Sequence, residues 1–217
     1  MKRIRPDLWE TEAEYPAPGL STHAYVWTSS SGNVLFYNTS LESEIEAMAE
    51  LGGVRHQYLS HQDEIAPSLR TIKQRFGSTL SIAAAEAPIA RETCAVDGAF
   101  DDRRSEPAGF EVIPTPGHTP GSACFLVPGA DGTSYLFTGD TIVRGADGRW
   151  FAGYLPGHSD HDSLVASLGM LADLTPDVVI SSAFTGDSGV TDLGTRRWSD
   201  CVEEALAALA RDHSPTS

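Results

Sequence analysis

The stretch TPGHTPGS, residues 115–122, is followed by LFTGD, residues 136–140, and these two segments decide the fold. Each places one side chain that can bind a metal, His118 or Asp140, in a glycine-rich turn directly after an apolar segment. Glycine lets the backbone of such a turn approach other atoms closely, so that a neighbouring side chain is aimed in one direction. The pattern therefore predicts two strand ends that carry metal ligands.

The composition is that of a folded globular protein. A chain of 217 residues with 41% hydrophobic residues is long enough to bury a core, and we expect one domain over residues 1–217. No segment approaches the roughly 18 consecutive apolar residues of a membrane helix. The basic residues 1–5 lead into Pro6 rather than into an apolar run. We therefore expect a soluble, cytoplasmic protein with no membrane contact.

The net charge restricts the class of partner. Thirty acidic residues against fifteen basic ones give a formal net charge of −15 at pH 7. Such a field repels nucleic-acid phosphates, so we expect a small-molecule substrate and no nucleic acid.

The three cysteines, Cys94, Cys124 and Cys201, are odd in number and lie far apart, without a C-x-x-C pair. We expect them to be buried thiols of the core.

Hydrophobic periodicity predicts strands and helices along most of the chain. Strands are predicted at residues 23–28, 34–38, 57–59, 78–83, 110–113, 123–127, 135–138 and 178–180. Helices are predicted at 41–51, 65–76, 163–174 and 199–211, the third capped by Asp160 or Asp162. A surface excursion is predicted at 93–108, an aromatic loop around 150–154, and a loose tail at 214–217. Two sheets faced by helices fit this order.

The two opening motifs, with NVLFYNTS (33–40) and LSH (59–61) upstream, closely resemble those of the metallo-β-lactamase-fold hydrolases. The match runs in order from about residue 20 to about residue 190. The resemblance implies the α/β class and an αββα four-layer sandwich, in which helices flank two mixed β-sheets. It also implies a metal site at one edge, between the sheets.

The family loop T-H-x-H-x-D-H suggests which residues could bind the metal. If Ser60-His61 corresponds to its first two positions, His61 is the first ligand and Asp63 replaces the second histidine. Ile65 then replaces the family aspartate, and Ala66 the third histidine. A shifted alignment instead pairs His61-Gln62-Asp63-Glu64 with H-x-D-H, which puts Leu59 at the first ligand and Glu64 at the third histidine.

Both alignments lead to the same ligand set. Downstream, His118 and Asp140 match the family turns, whereas Ala183 stands where the last histidine belongs. The resemblance therefore implies that one metal position is kept, with His61, Asp63, His118 and Asp140 as ligands, and that the second is deleted.

Two imidazoles and two carboxylates suit one divalent transition metal, for which zinc is the first choice and iron or manganese are alternatives. Asp63 and Asp140 would neutralise such an ion, so its bound water should be less acidic and hydrolysis slower. Asp140 or Glu64 could accept the proton during hydrolysis. The expected substrate is an ester, a thioester or a lactone.

Several alternatives stay open from the sequence. The losses among the family ligands also fit a catalytically silent binding or accessory protein that keeps the fold. Asn38 either orients the metal-binding loop or caps the following helix. His158 and His161 are expected to be exposed or capping, with a place near the site as the alternative. Trp150, Phe151 and Tyr154 either wall a pocket or pack on the edge of the sandwich. The remaining histidines are expected to be structural or exposed; these are His23, His56 and His213.

Overall fold

The structure, a computed structural model, describes residues 1–212. The predicted tail at 214–217 and His213 lie outside the described residues.

Short strands make up most of the regular structure. In chain order they are β1 Lys2–Arg5, β2 Leu8–Glu10, β3 Glu14–Ala17, β4 Leu20–Thr22, β5 Tyr25–Trp27, β6 Val34–Phe36, β7 His56–Tyr58, β8 Thr79–Ala83, β9 Gly98–Phe100, β10 Arg104–Ser105, β11 Glu111–Pro114, β12 Ala123–Pro128, β13 Ser134–Gly139, β14 Ile142–Arg144, β15 Trp150–Ala152, β16 Val178–Ser181, β17 Ala183–Phe184 and β18 Val190–Asp192.

Two large mixed sheets organise these strands. The first has the order β1-β2-β5-β6-β7-β8-β9 and the second the order β10-β11-β12-β13-β16-β18. Parallel pairs join β6 to β7, β7 to β8, β8 to β9 and β13 to β16. Two smaller sheets, β14-β15 and β17-β4-β3, flank the large ones.

The helices are α1 Glu42–Ala47, α2 Ser68–Phe76, α3 Ala87–Thr93, α4 His161–Leu171 and α5 Trp198–Asp212, with 3-10 turns at Met48–Leu51 and Gln62–Glu64. Asp160 caps α4, because its Oδ1 accepts a 2.8 Å hydrogen bond from the Ser163 amide. Helix α2 begins three residues later than predicted, because Pro67 disfavours helical backbone at the residue before it.

Three apolar clusters separate four layers. One lies between the two sheets and is rich in aromatic side chains such as Phe36 and Phe125. A second joins the outer face of the second sheet to α4 and α5 through Leu164 and Val202. A third joins β8 to α2 and α3 through Leu80. This helix, sheet, sheet, helix order confirms the αββα expectation.

The central strands of the second sheet are buried on both faces. In β13, Tyr135 and Phe137 face the inter-sheet core, whereas Leu136 between them faces the helices. In β16, Ile180 and Val179 divide in the same way. Because side chains alternate across a strand, continuous apolar runs are what a doubly covered sheet requires.

Most of residues 93–108 lie at the surface, as predicted, but the prediction of a mere excursion was wrong for the strands within the region. It contains β9, the edge strand of the first sheet, and β10, the edge strand of the second. Phe100 is fully buried in the inter-sheet core. The loop prediction around residue 150 was also wrong, since β14 and β15 form a hairpin. Its turn carries Asp147-Gly148, a hairpin signal that the sequence contained.

The three cysteines are buried and free, as predicted. Within residues 1–212, no helix has both the length and the apolar character that a bilayer crossing requires.

Tyr37 links the two sheets through hydrogen bonds of its side chain. Its backbone has a positive φ of 69° directly after β6, and its side chain is buried. The hydroxyl donates to the Ile180 carbonyl at 2.7 Å and accepts from the Gly139 amide at 2.9 Å. Both partners belong to the second sheet.

We expect Tyr37→Phe to lower the free energy of unfolding by about 1–3 kcal/mol, because a buried amide and a buried carbonyl would each lose a partner. Urea unfolding measures this change. Tyr15→Phe is the matched control, since Tyr15 is 77% exposed and an exposed substitution should stay within about 0.5 kcal/mol. Equal stabilities of the two variants would contradict the bridging role.

Candidate metal centre

Three side chains from two separate loops converge at one edge of the sandwich. His61, Asp63 and His118 each offer a ligand atom, and these atoms lie within 4.8 Å of one another. Asp63 Oδ2 is 3.9 Å from Nε2 of His61 and 3.5 Å from Nε2 of His118. Donor atoms bind a transition metal at about 2.0–2.2 Å. Small side-chain adjustments would therefore let all three share one ion.

Asp140 lies against both histidines. Its Oδ2 is 3.6 Å from Nε2 of His61 and 3.8 Å from Nε2 of His118. Its Oδ1 accepts hydrogen bonds from the Ser182 hydroxyl at 2.5 Å and from the Ala183 amide at 3.1 Å. One carboxylate oxygen is therefore held by the protein while the other faces the cluster.

His118 presents an unpaired nitrogen to this cluster. Its Nδ1 lies 2.6 Å from the Gly153 carbonyl oxygen, which can only accept, so Nδ1 carries the proton. In the neutral ring the lone pair is then on Nε2. Nε2 is buried and has no hydrogen-bond partner among the described residues. A buried polar atom without a partner is uncommon, and a metal ion would satisfy this one.

Two glycines make the close approach possible. A Cβ atom at Gly153 would lie 1.8 Å from the Asp140 carbonyl oxygen. At Gly139, where φ is +52°, a Cβ atom would lie 2.4 Å from Ser60 Oγ. The turn that carries Asp140 can therefore pack directly on the loop that carries His61 because Gly139 lacks a side chain, and the backbone at Gly153 can pack on Asp140 and His118 for the same reason.

His61 is oriented from behind by Glu64. The Glu64 carboxylate accepts from the Ser60 amide at 2.8 Å and from the Ser60 hydroxyl at 2.5 Å. It also lies 3.3 Å from Nδ1 of His61. Nε2 of the same ring faces Asp63 and Asp140. The sequence nominated Glu64 as a possible base, but its carboxylate lies on the Nδ1 side of His61, turned away from the ligand atoms.

Charge around His61 changes its proton affinity. Burial lowers the pKa of His61, but the carboxylates of Glu64, Asp140 and Asp63 outweigh this effect and raise it to about 9. At Asp63, the contact with His118 lowers the pKa of the carboxyl group, against the opposing effect of burial. The metal-free cluster therefore holds a proton where a cation would bind.

Asn38 orients the loop that carries these residues. Its side-chain amide donates to the Glu64 carbonyl and to Ser68 Oγ, both at 3.0 Å. The helix-capping alternative is wrong, since α1 begins after Leu41 with no side-chain cap bond.

His158 is exposed, as expected from the sequence, and it also lies beside the cluster. Its Nε2 is 3.7 Å from Asp63 Oδ2, and its side chain is 38% exposed. The centroid of its ring lies 6.1 Å from that of His118. His161 instead contacts its neighbour Asp162 at the start of α4. The H-x-x-H spacing drew attention to both residues, but only the folded loop distinguishes them.

The positions that lack the family ligands carry apolar side chains. Ile65 packs against the apolar cluster below α2 and α3. Ala66 and Ala183 line the same cavity as His61 and Asp140. None of these three side chains can bind a cation.

The aromatic residues near β15 divide between the two predicted roles. Trp150 is buried in the core against Trp198, with ring centroids 5.5 Å apart. Phe151 and Tyr154 line a cavity that also reaches His118.

We expect the metal-free protein to lose stability as the pH rises from about 6.5 to about 9. His61 has a pKa of about 9 when folded and about 6.5 when unfolded. Its stabilising contribution is therefore complete below the lower value and is lost as the pH passes the upper one. Thermal melting across this range measures the decline. Glu64→Gln, which removes a neighbouring negative charge, should flatten the profile, and an unchanged profile would contradict the explanation.

Comparison with known proteins identifies the family of the chain. A model described as the metallo-beta-lactamase superfamily matches residues 60–183, more than half of the chain. A hydroxyacylglutathione hydrolase from Chromohalobacter salexigens is 36% identical over 85 residues, which is 39% of this chain and 30% of that protein. Its counterpart from Photorhabdus laumondii is 35% identical over 74 residues, 34% of this chain and 25% of that protein. The matches thus span less than a third of each relative.

Solved structures share the fold over nearly the whole chain. A metallo-beta-lactamase from Pontibacter korlensis superposes with a TM-score of 0.72 at 17% identity, covering 96% of this chain and 97% of that one. ETHE1 from Myxococcus xanthus gives 0.63 at 19% identity, with 94% and 91% covered. Identities this low show a common fold only. Because the family model spans more than half of the sequence, the chain belongs to the metallo-beta-lactamase superfamily.

Proposed function

We propose that the chain is a metal-dependent hydrolase that acts on an ester, thioester or lactone bond of a small molecule. One divalent transition metal ion, zinc first and iron or manganese as alternatives, would be held by His61, Asp63, His118 and Asp140. The observation that carries the proposal is the buried Nε2 of His118, which lacks a partner and lies 3.5 Å and 3.8 Å from the two carboxylates.

The donor set supports a single transition metal. Imidazole nitrogens suit zinc, iron and related ions, and carboxylates accept the same ions. Each histidine has its second nitrogen bound, His61 to Ser60 and Glu64, and His118 to Gly153. This arrangement, in which an outer partner fixes the tautomer and orientation, is usual for metal-binding histidines. A second ion is not expected, since Ala66 and Ala183 offer no donor atom.

When bound, the ion would supply Lewis-acid chemistry to a carbonyl group and a water molecule. The chain itself supplies a proton acceptor and its support. We assign the acceptor role to Asp140, because Oδ2 faces the cluster while Ser182 and Ala183 hold Oδ1. We assign Glu64 a positioning role, because it acts on the far nitrogen of His61. This proposal replaces the sequence-based choice between the two carboxylates.

The curated relatives support the reaction class. By their name, the Chromohalobacter and Photorhabdus proteins hydrolyse a hydroxyacyl glutathione. An acyl group on the sulfur of glutathione is a thioester, so a carbonyl carbon with a good leaving group is the reacting centre in such compounds.

Metal binding is tested with His118→Ala. The purified wild type should bind about one equivalent of zinc or manganese. Loss of an outer partner of a metal-binding histidine already costs about 10- to 100-fold in affinity, so loss of the ligand itself should cost at least about 100-fold. Titration with competing chelator measures the change. His56→Ala is the control, because His56 contacts Thr79 on a strand outside the cluster.

Two results would contradict the metal proposal. One is less than about a tenth of an equivalent bound, with no metal-dependent rise in melting temperature, since a ligand that binds the folded state must stabilise it. The other is an equal affinity in His118→Ala and the control. Either would favour the catalytically silent binding protein.

Catalysis is tested by comparing Asp140→Asn with Glu64→Gln on neutral aryl esters and thioesters. Asp140→Asn removes a proposed ligand as well as the proton acceptor, so it should weaken metal binding and also lower kcat by about 100-fold or more at saturating metal. Loss of a positioning group should mainly weaken metal binding, by about 10- to 100-fold, so excess metal should restore most of kcat. The reverse pattern would exchange the two roles, and no turnover by the metal-loaded wild type would refute the hydrolase.

A further inference from the structure

Two cavities meet at the metal-ligand cluster. The larger cavity has a volume of about 700 Å³, and the hairpin of β3 and β4 forms part of its wall. The smaller has a volume of about 400 Å³ and extends to Phe151 on β15 and Leu209 on α5. His118 and Asp140 line both. If the scissile bond of a substrate lies at the cluster, the groups on its two sides can therefore occupy two separate cavities.

Apolar surface makes up most of the wall of both cavities, although polar and ionisable side chains also line the larger one. Leu20 and Leu155 belong to the two linings at once. Pro16 and Leu41 add to the larger cavity, and Val143 adds to the smaller. Leu155 is 48% exposed, so an apolar contact there would remove hydrocarbon from water. Such walls favour apolar groups on the bound molecule.

Lysine and arginine are missing from the same walls. Among residues 1–212, no lysine or arginine lines either cavity, and residues 213–217 contain neither type. The larger cavity has four carboxylates in its lining: Glu14, Asp63, Glu64 and Asp140. A divalent ion would offset two of these formal charges and leave the remainder. The net charge of −15 acts in the same direction.

We propose that the substrate is an uncharged ester, thioester or lactone with apolar groups on both sides of the bond, and that carboxylate-bearing compounds, glutathione thioesters included, are poor substrates. This inference rests on the proposed hydrolase function and narrows its substrate class. An anion in the larger cavity would meet like charges with no lysine or arginine to pair with, and like charges a few ångströms apart repel strongly away from bulk water.

Matched thioesters test the charge preference. The metal-loaded enzyme is assayed with the same acyl group on glutathione, which carries a net negative charge, and on N-acetylcysteamine, which is neutral. We expect kcat/KM to be about tenfold or more higher for the neutral thioester. Each methylene added to a short acyl chain should raise kcat/KM about three- to fourfold until the cavity is filled.

A charge placed in the wall should reverse the preference. Leu155→Arg adds a cation where both cavities meet, and it should raise kcat/KM for the glutathione thioester about tenfold relative to the neutral one. Leu155→Gln separates charge from the loss of apolar surface and should leave the preference unchanged. Val165→Arg is the charge-matched control, because Val165 is exposed on α4 and lines neither cavity.

Each outcome has a distinct meaning. If the wild type hydrolyses both thioesters and prefers the anionic one, the substrate inference is wrong while the hydrolase stands. If Val165→Arg shifts the preference as much as Leu155→Arg, the overall field rather than the cavity wall sets it, and the inference is also wrong. If neither compound nor any neutral ester is hydrolysed, the proposed function itself fails.

Discussion

The backbone hydrogen bond from the Ala123 amide to the Ser60 carbonyl, 2.8 Å long, joins the two sheets at the edge where the candidate ligands lie. Ser60 lies two residues after β7 of the first sheet, at the start of the loop that carries His61. Its hydroxyl packs over Gly139 of the second sheet. The same residue binds Glu64 through its amide and its hydroxyl. Because His61 follows directly, its position depends on this junction.

Several carboxylates of the candidate centre lie close to His61. Carboxylates surround His61 so closely that its pKa rises to about 9 despite burial, so a metal ion would replace a proton that the folded protein already attracts. Beyond the ligands, Asn38 holds the loop backbone and Ser182 holds one oxygen of Asp140. The cost of gathering several carboxylates is offset by these hydrogen bonds and by the cation that the cluster would bind.

Much of the fold followed from local sequence, because its signals are local. Continuous apolar runs such as 135–138 indicate strands covered on both faces, and turn residues mark their ends. The strands within residues 93–108 escaped prediction because these edge strands are short, and their pairing with β8 and β11 compensates for polar composition. Phe100 is buried in the inter-sheet core. The hairpin of β14 and β15 was missed although its Asp-Gly turn is a recognised signal.

The sequence alone determined the motifs, the spacing of the turns that carry His118 and Asp140, and the absence of donor atoms at Ala66 and Ala183, since these are properties of residue type and order. Tertiary structure decided that Glu64 lies behind His61, that His158 approaches Asp63, and that no lysine or arginine of the described chain lines the two cavities. The last two facts depend on which distant loops meet, and only the packing of the two sheets face to face brings those loops within a few ångströms.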